Sequence, residues 1–405
     1  MGKYYHWDKL QYLTPPEQLT IEELWMSIKL ARSQSKRSIH LLDTSKKSFY
    51  YTLPDLVLEK LHFIDRNASG AIELPEPITN PETRDRYIQS SLIEEAITSS
   101  QLEGAATTRE VAKEMIKSGR KPMDTSELMI LNNYKTMKFI KSVRNEKLTP
   151  ALIKRIHFML IKGVLDEKSD YFRQDDDGVR VYSDKNEVLH NPPHASEIKE
   201  RLEALCNFAN SNNTNAFLHP VIKAIILHFW MAYDHPFIDG NGRTARALFY
   251  WCMLQQNFWL FEYISISTIL KSAPAKYGMS FLHTETDEND LTYFILHQLE
   301  VIVKAIEELR EYLQKKMQDY QKTVQLLNPS SGLNHRQIAL LGHALKHPWH
   351  IYSIESHKKS HGVTYQTART DLLNLLERKL LEKFQSGKAF QFRVKKDLEQ
   401  RINSL

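Results

Sequence analysis

Twelve residues, His235-Pro-Phe-Ile-Asp-Gly-Asn-Gly-Arg-Thr-Ala-Arg246, gather a candidate base, a carboxylate, an Asn amide, two glycines and two arginines. That set can hold a metal-bound polyphosphate and deprotonate a group beside it. Glycines let backbone N–H groups approach an anion closely, and a helix starting there adds its positive end. Asp239 could hold a hard divalent cation, which binds through one or two carboxylates plus substrate phosphates. Arg243 and Arg246, three residues apart, project from one helix face toward the same ligand. His235 has the side chain whose unperturbed pKa suits proton abstraction near neutral pH. No Ser, Cys or Lys nucleophile lies within the run, which favours direct in-line attack by an acceptor hydroxyl over a covalent enzyme intermediate.

The elements around this run must be helices. Val221 to Tyr233 before it, and Thr244 to Gln256 after it, have helix-compatible spacing. Gly240 to Ala245 formally matches the dinucleotide fingerprint G-x-G-x-x-A, but that motif needs a strand before the glycines. A helix–loop–helix setting argues against it. The remaining bland reading is an ordinary interhelical turn with solvated arginines.

HPFIDGNGRTAR resembles the signature of the Fic family, HPFx[DE]GNGRxxR, at every defining position. The resemblance implies a mainly α protein: a Fic-type helical bundle with a small β-hairpin flap. It also implies transfer of AMP from ATP to a Ser, Thr or Tyr hydroxyl of a target protein. On the same footing His235 is the base, Pro236 and Phe237 fix the loop, and Asp239 holds Mg²⁺. Gly240, Asn241 and Gly242 form the anion cradle, with Asn241 on the α-phosphate, while Arg243 and Arg246 grip the β- and γ-phosphates. Ala245 departs from the Gly common in relatives. It lies between the arginines and is a better helix former, so no loss of chemistry is expected. Relatives can also remove AMP or transfer phosphocholine or phosphate; the intact GNGR favours AMP transfer over the phosphate-transferring Doc branch.

Far upstream, Ser99-x-x-x-Glu103-Gly104 is similar to the inhibitory motif [ST]xxxE[GN] of regulated Fic proteins. By that resemblance Glu103 pairs with Arg246 and turns it from the γ-phosphate. An Arg–carboxylate pair shielded from water is strong enough for the task. The competing reading is an amphipathic helix from Ile88 to Leu102 closed at Gly104, with Glu103 a solvated last-turn residue.

The 405 residues suggest two or three domains, and 42% hydrophobic residues allow a sizeable core. Glycine is scarce, at 13, and helix formers dominate, which points to a mainly α chain. The net charge of +5 decides for neither nucleic acid nor an acidic partner. With only Cys206 and Cys252, no disulfide framework or Cys-based metal site is expected, and a reducing cytosol is the default compartment. The first residues show no signal-peptide core, and the most apolar run, Ile225 to Tyr233, is too short to cross a bilayer.

Three regions are expected. Residues 1–82 carry helices Ile21 to Gln34 and Pro54 to Asn67, a strand at Ser48 to Thr52, and a Pro-rich connector, Leu74 to Pro81. Residues 83–325 form the catalytic core, with the inhibitory helix near 88–104 and a long amphipathic helix from Asp290 to Val324. Asn328 to Gly332 is a linker, and 333–405 read as a winged helix–turn–helix. Its third helix would be Thr364 to Arg378 and its wing Leu381 to Val394, with Gly387 at the tip. Arg369, Arg378, Lys379 and Lys388 could touch phosphates; protein contact or homodimerisation is the alternative use. His335, His343, His347, His350, His357 and His361 cluster in sequence, but irregular spacing and the lack of Cys favour packed or solvated roles over zinc.

Tyr171 to Asn191 interrupts the helical pattern. Val179, Arg180, Val181 and Tyr182 alternate like a strand, Glu187 to His190 like its partner, and Ser183 to Asn186 would join them. In Fic relatives such a flap docks the target by strand addition; an ordinary surface hairpin is the alternative. Tyr277 lies where relatives present an aromatic to adenine, but Gly278 stands where a second Tyr is usual. Two functions from different classes follow: an autoinhibited AMP transferase, and a nucleotide-sensing regulator acting through the winged helix.

Overall fold

The computed structural model describes residues 3–69, 81–165, 172–182, 187–211, 217–326, 332–386, 389–395 and 397–403. Most of the Pro-rich connector, Tyr171, the hairpin tip Ser183 to Asn186, Asn328 to Ser331, and Gly387 and Lys388 of the wing tip lie outside the described residues.

The chain divides into two compact units, one built on Met1–Ile72 and Ser91–Ile306, the other on Glu73–Ser90 and Glu307–Leu405. At the centre of the first lie two successive helices, Pro220–Asp234 and Asn241–Gln255. Both are buried almost all round, with Phe229, Trp230, Phe249 and Trp251 fully enclosed. That is why their sequences show no polar face: a helix surrounded by other helices has no solvent side to mark. Pro220 at the first helical position is preorganised for a helix start, and its missing N–H loses no bond there. Helices Thr125–Ser142, Pro150–Ile161 and Ile198–Asn210 pack around the central pair.

The N-terminal residues belong to the same unit. Helix Ile21–Ser33 opens with a reciprocal capping box between Thr20 and Glu23. Strands β1 (Arg37–Leu42) and β2 (Ser48–Tyr51) pair antiparallel, and helix Asp55–Ala68 follows. β1 was not anticipated, although Ile39 and Leu41 point inward on alternate positions. This segment is tied to residues 287–293. Tyr4 donates to Asp290 (2.6 Å), Arg32 to the Tyr293 hydroxyl (2.7 Å), and Leu291 N–H to Tyr50 O (2.8 Å).

The expected helix around Ile88 to Leu102 runs Pro81–Gln101. The long C-terminal helix runs Thr292–Leu326, starting and ending two residues later than the expected Asp290 to Val324. The flap is shorter than expected. β3 is Val181–Tyr182 and β4 is Val188–His190, paired antiparallel with a register shift. Val179 and Arg180 lie outside the strand, because Asp175–Asp177 forms a 3-10 turn closed by Gly178 at φ 65°. Period-two alternation marked that stretch as extended but could not supply a pairing partner.

In the second unit, helices His335–Lys346, Ile354–His361 and Tyr365–Glu377 pack with a three-stranded sheet in the order β5-β7-β6. These strands are Tyr352–Ser353 (β5), Leu381–Ser386 (β6) and Ala389–Val394 (β7). Leu341, Leu372, Leu375, Leu380 and Phe392 fill its core. Asp371 accepts from Arg336 Nε (2.6 Å) and Asn334 Nδ2 (2.7 Å), and faces His357 (3.2 Å). His343 pairs with the Tyr352 hydroxyl at 2.7 Å. At these two positions the histidine cluster serves packing. No helix among the described residues is long and apolar enough to cross a membrane, and both cysteines are free and buried.

Candidate active site

The run from His235 to Arg246 links the central helix pair through two left-handed residues. His235 closes Pro220–Asp234 at φ 45°, and Gly240 opens Asn241–Gln255 at φ 78°. Glycine adopts that conformation without strain, and at Gly240 a Cβ would also press Ile161 at 3.0 Å. A non-glycine residue held left-handed, as His235 is, marks a position fixed by its surroundings. The His235 Nδ1 lies 3.0 Å from the Ala232 carbonyl oxygen. A carbonyl only accepts, so Nδ1 carries the proton and Nε2 keeps its lone pair. Burial holds the His235 imidazolium below its ordinary pKa, which keeps the ring neutral near pH 7.

Three residues the sequence reading passed over hold this loop. Arg173, itself buried, donates from Nε to His235 O (2.7 Å) and from Nη2 to Asp234 O (3.3 Å) and Pro193 O. Its backbone N–H donates to Pro236 O at 3.0 Å. His157 stacks on Phe237 with ring centroids 3.6 Å apart and pairs through Nε2 with Asp239 O at 2.8 Å. Asp234, in turn, accepts from Arg201 Nε (2.7 Å) and Trp230 Nε1 (2.9 Å). Arg173, His157 and Arg201 are 33 to 82 residues from the loop atoms they hold, and no local spacing announces them.

The structure changes the part given to Asn241. Its Oδ1 accepts the Phe237 N–H (3.0 Å) and its Nδ2 donates to Phe237 O (2.8 Å), both buried. The side chain is committed to the loop, so what it can offer an anion is its backbone N–H. Asn241→Ala would orphan a buried donor and a buried acceptor, each costing about 1–3 kcal/mol. A loss of about 2–4 kcal/mol in urea unfolding is expected; a loss below ~0.5 kcal/mol would rule out this locking role.

By helix geometry the first-turn N–H groups of Asn241–Gln255 have no intrahelical acceptor, and Gly240 caps them with no side chain. Arg243 is enclosed in the protein, with Nη2 3.2 Å from Asp239 Oδ2 and no acceptor for Nε among the described residues. The Asp239 side chain stays 45% exposed. Arg246 is buried as well, and its guanidinium is gripped from upstream. Nε donates to Ser99 Oγ (2.9 Å), and Nη2 donates to Ser99 O (2.9 Å) and Glu103 Oε1 (2.8 Å).

Local sequence explains how Glu103 arrives there. Helix Pro81–Gln101 ends in a Schellman turn, with Gly104 at φ 91°, Gly104 N–H on Gln101 O (3.2 Å) and Ala105 N–H on Ser100 O (3.0 Å). The turn swings Glu103 out of the helical path and onto the motif. Buried Glu95 anchors the same helix, accepting from the Tyr250 hydroxyl (2.8 Å), Ser265 Oγ (2.8 Å) and Ser267 N–H (3.1 Å). The Glu103 carboxylate lies so close to Gly242 that a Cβ there would fall 2.3 Å from Oε1. Burial alone pushes the Glu103 carboxyl up, but Arg246, Arg243 and His235 more than offset this and hold it below its ordinary pKa. A solvated last-turn role for Glu103 is therefore excluded; its side chain is 24% exposed and ion-paired.

Tyr277 packs on Phe281 at 5.3 Å, and its hydroxyl lies 2.8 Å from His228 Nε2. Burial drives the His228 pKa down to about 3 and raises that of Tyr277 to about 12, so both are neutral. The hydroxyl of Tyr277 is thus held by helix Pro220–Asp234.

A helical scaffold presenting a base, two buried arginines and a helix N-terminus with no side-chain cap defines a site suited to an anion. Residues 147–253 match the Fic/DOC family, so the chain carries a Fic domain over that stretch. It is 26% identical over 185 residues to a Protein adenylyltransferase Fic of Drosophila grimshawi, a match covering 45% of this chain and 36% of that protein. A protein of the same name from Nematostella vectensis is 25% identical over 178 residues, covering 43% and 39%. The chain thus spans well under half the length of these curated relatives. The crystal structure of a Fic family protein from Desulfovibrio desulfuricans G20 superposes with a TM-score of 0.53 at 20% identity, covering 85% of this chain and 98% of that one. That likeness establishes the helical Fic fold.

Proposed function

We propose that the chain is a protein adenylyltransferase that moves AMP from ATP to a Ser, Thr or Tyr hydroxyl of a target protein. The observation that carries this is the bare Nε2 of neutral His235 beside a helix N-terminus backed by two buried arginines. His235 Nε2 takes the hydroxyl proton as the oxygen attacks the α-phosphorus in line. The new P–O bond forms as the bond to the β-phosphate bridging oxygen breaks, and pyrophosphate leaves. Such a reaction needs positioning and charge neutralisation above all. The first-turn amides and Arg243 supply these at the phosphates, and Arg173 keeps His235 in place.

A divalent cation fits the donor set. Asp239 is a half-exposed carboxylate, and Mg²⁺ is usually held by one or two carboxylates plus substrate phosphates. Bound there, Mg²⁺ would neutralise phosphate charge.

The same reading makes Glu103 an inhibitor. Its carboxylate lies against Gly242 at the N-terminal end of the motif helix and holds Arg246, so it takes both the place and the cation that a terminal phosphate needs. Ser99 fixes the arginine from the other side. β3 and β4 offer a short edge on which an extended target segment could add. The second unit we read as a winged helix–turn–helix whose third helix exposes Tyr365, Gln366, Arg369 and Thr370 to a partner.

The test uses the purified chain with Glu103→Gly, a lysate as target source, and ATP labelled on either the α- or the γ-phosphate. Protein-bound label from the α position alone is expected. Label from the γ position alone would replace AMP transfer by phosphate transfer. Loss of AMP from premodified protein without any gain would make the site an AMP-removing one. ATP-dependent binding of DNA without transfer would favour the sensor reading.

A further inference from the structure

On the same unit, away from the motif, His6, Asp8 and His283 bring their ligating atoms within 4.8 Å of one another. His6 caps the short helix Trp7–Leu10, and His283 lies near the end of helix Pro274–Thr286. The two imidazoles stack at 4.3 Å with planes 13° apart, and the Tyr293 ring stands edge-on to both, at 5.4 and 5.7 Å. His283 Nε2 is 2.8 Å from Asp8 Oδ2, and His6 Nδ1 is 3.2 Å from Asp8 Oδ1.

Hydrogen bonding fixes the state of His6. The Thr286 hydroxyl donates its proton to Leu282 O (2.6 Å), so its oxygen can only accept from His6 Nε2–H, 3.3 Å away. A neutral His6 protonated at Nε2 has a bare Nδ1. That nitrogen faces both the Asp8 backbone N–H (3.2 Å) and Asp8 Oδ1. Asp8 Oδ1 is buried and has no hydrogen-bond donor among the described residues. A buried carboxylate oxygen set against an imidazole nitrogen is satisfied by a positive charge between them, either a proton on Nδ1 or a metal ion held by both.

We propose that His6, Asp8 and His283 form a binding site for a borderline divalent cation, Zn²⁺ foremost, that clamps the N-terminal segment onto helix Pro274–Thr286. Two imidazoles and a carboxylate suit Zn²⁺, with water completing the tetrahedron. Tetrahedral ligands about 2.0–2.1 Å from zinc lie roughly 3.4 Å from each other, against a span of up to 4.8 Å here, and binding would turn the stacked imidazoles until both lone pairs meet the ion. Thr286 acts as the outer partner that orients His6, and Tyr293 walls the site from the interior.

The test titrates ZnCl2 into the chelator-treated full chain, free of any histidine tag, in competition with a chromophoric chelator. One high-affinity equivalent is expected. His283→Ala and His6→Gln, each checked for native circular dichroism, should weaken it by roughly 100-fold or more, and Thr286→Val by roughly 10-fold. His347→Ala is the control for adventitious histidine binding and should leave the equivalent intact. Zinc should raise the melting temperature of the parent chain and not of His6→Gln. Absence of a saturable equivalent, or one that survives both histidine substitutions, would show that the triad is only a helix cap and overturn the proposal.

Discussion

Replacing Glu103 by glycine raises the initial rate of AMP transfer roughly 10- to 100-fold at saturating ATP and Mg²⁺. A hydrogen bond to a charged group contributes about 1.5–3 kcal/mol, and each 1.4 kcal/mol is about tenfold in an equilibrium. The substitution removes the 2.8 Å bond to Arg246 and vacates the space against Gly242. Arg246 keeps its two contacts with Ser99, so the gain comes from a freed guanidinium edge rather than a freed side chain. Radiolabel transfer to target protein, measured side by side for both chains, is the check. Equal initial rates would mean that the pair with Arg246 does not limit catalysis. Acid is not the natural release signal. A carboxylate whose folded pKa is depressed keeps its contact above its unfolded value and loses it only as pH falls through the lower folded one. Glu103 therefore stays ionised and paired across the physiological range, and release must come from displacement.

His235→Ala in the Glu103→Gly background lowers the transfer rate by about 10²–10⁴-fold, the usual contribution of a positioned general base. Binding of ATP should change little, because the arginines and helix N-terminus are untouched; equilibrium binding of a nonhydrolysable analogue separates the two effects. A double variant that retains the rate of Glu103→Gly would remove His235 from the chemistry. The pH profile gives a second check. Activity needs neutral His235, so it falls as pH drops through the His235 pKa, which burial places below the ordinary value of about 6.5. Glu103, by its charge, raises that pKa, so the acid limb of Glu103→Gly should lie at lower pH than that of the parent chain. An acid limb that moves upward would contradict this assignment.

Sequence made the centre of the site legible because its chemistry is contiguous. A base, a carboxylate, two glycines and two arginines within one loop and one helical turn can be read without knowing what surrounds them. The helices on either side were equally plain from length and spacing, whereas the upstream Ser99 and Glu103 could be singled out only through their resemblance to the inhibitory motif of regulated Fic proteins. Boundaries were less secure where local pattern and pairing diverge. The alternation from Val179 marked extended chain, but the strand begins at Val181, since a 3-10 turn and the left-handed Gly178 intervene.

Composition and motif chemistry by themselves determined a mainly helical chain with a glycine- and arginine-bearing loop and a candidate base. Only the tertiary structure decided which groups meet. Ser99 and Arg246 are 147 residues apart and touch because Glu95 and a Schellman turn aim the upstream helix at the motif. Arg173 reaches the carbonyls that hold His235, and Asn241 is turned inward onto Phe237 instead of outward to a ligand. The reason is physical. Helix spacing and loop chemistry are set by neighbours a few residues away, whereas the partner of a buried guanidinium or amide is chosen by packing that brings distant segments together. The same division holds at His6, Asp8 and His283, a cluster that no local spacing in the chain could have announced.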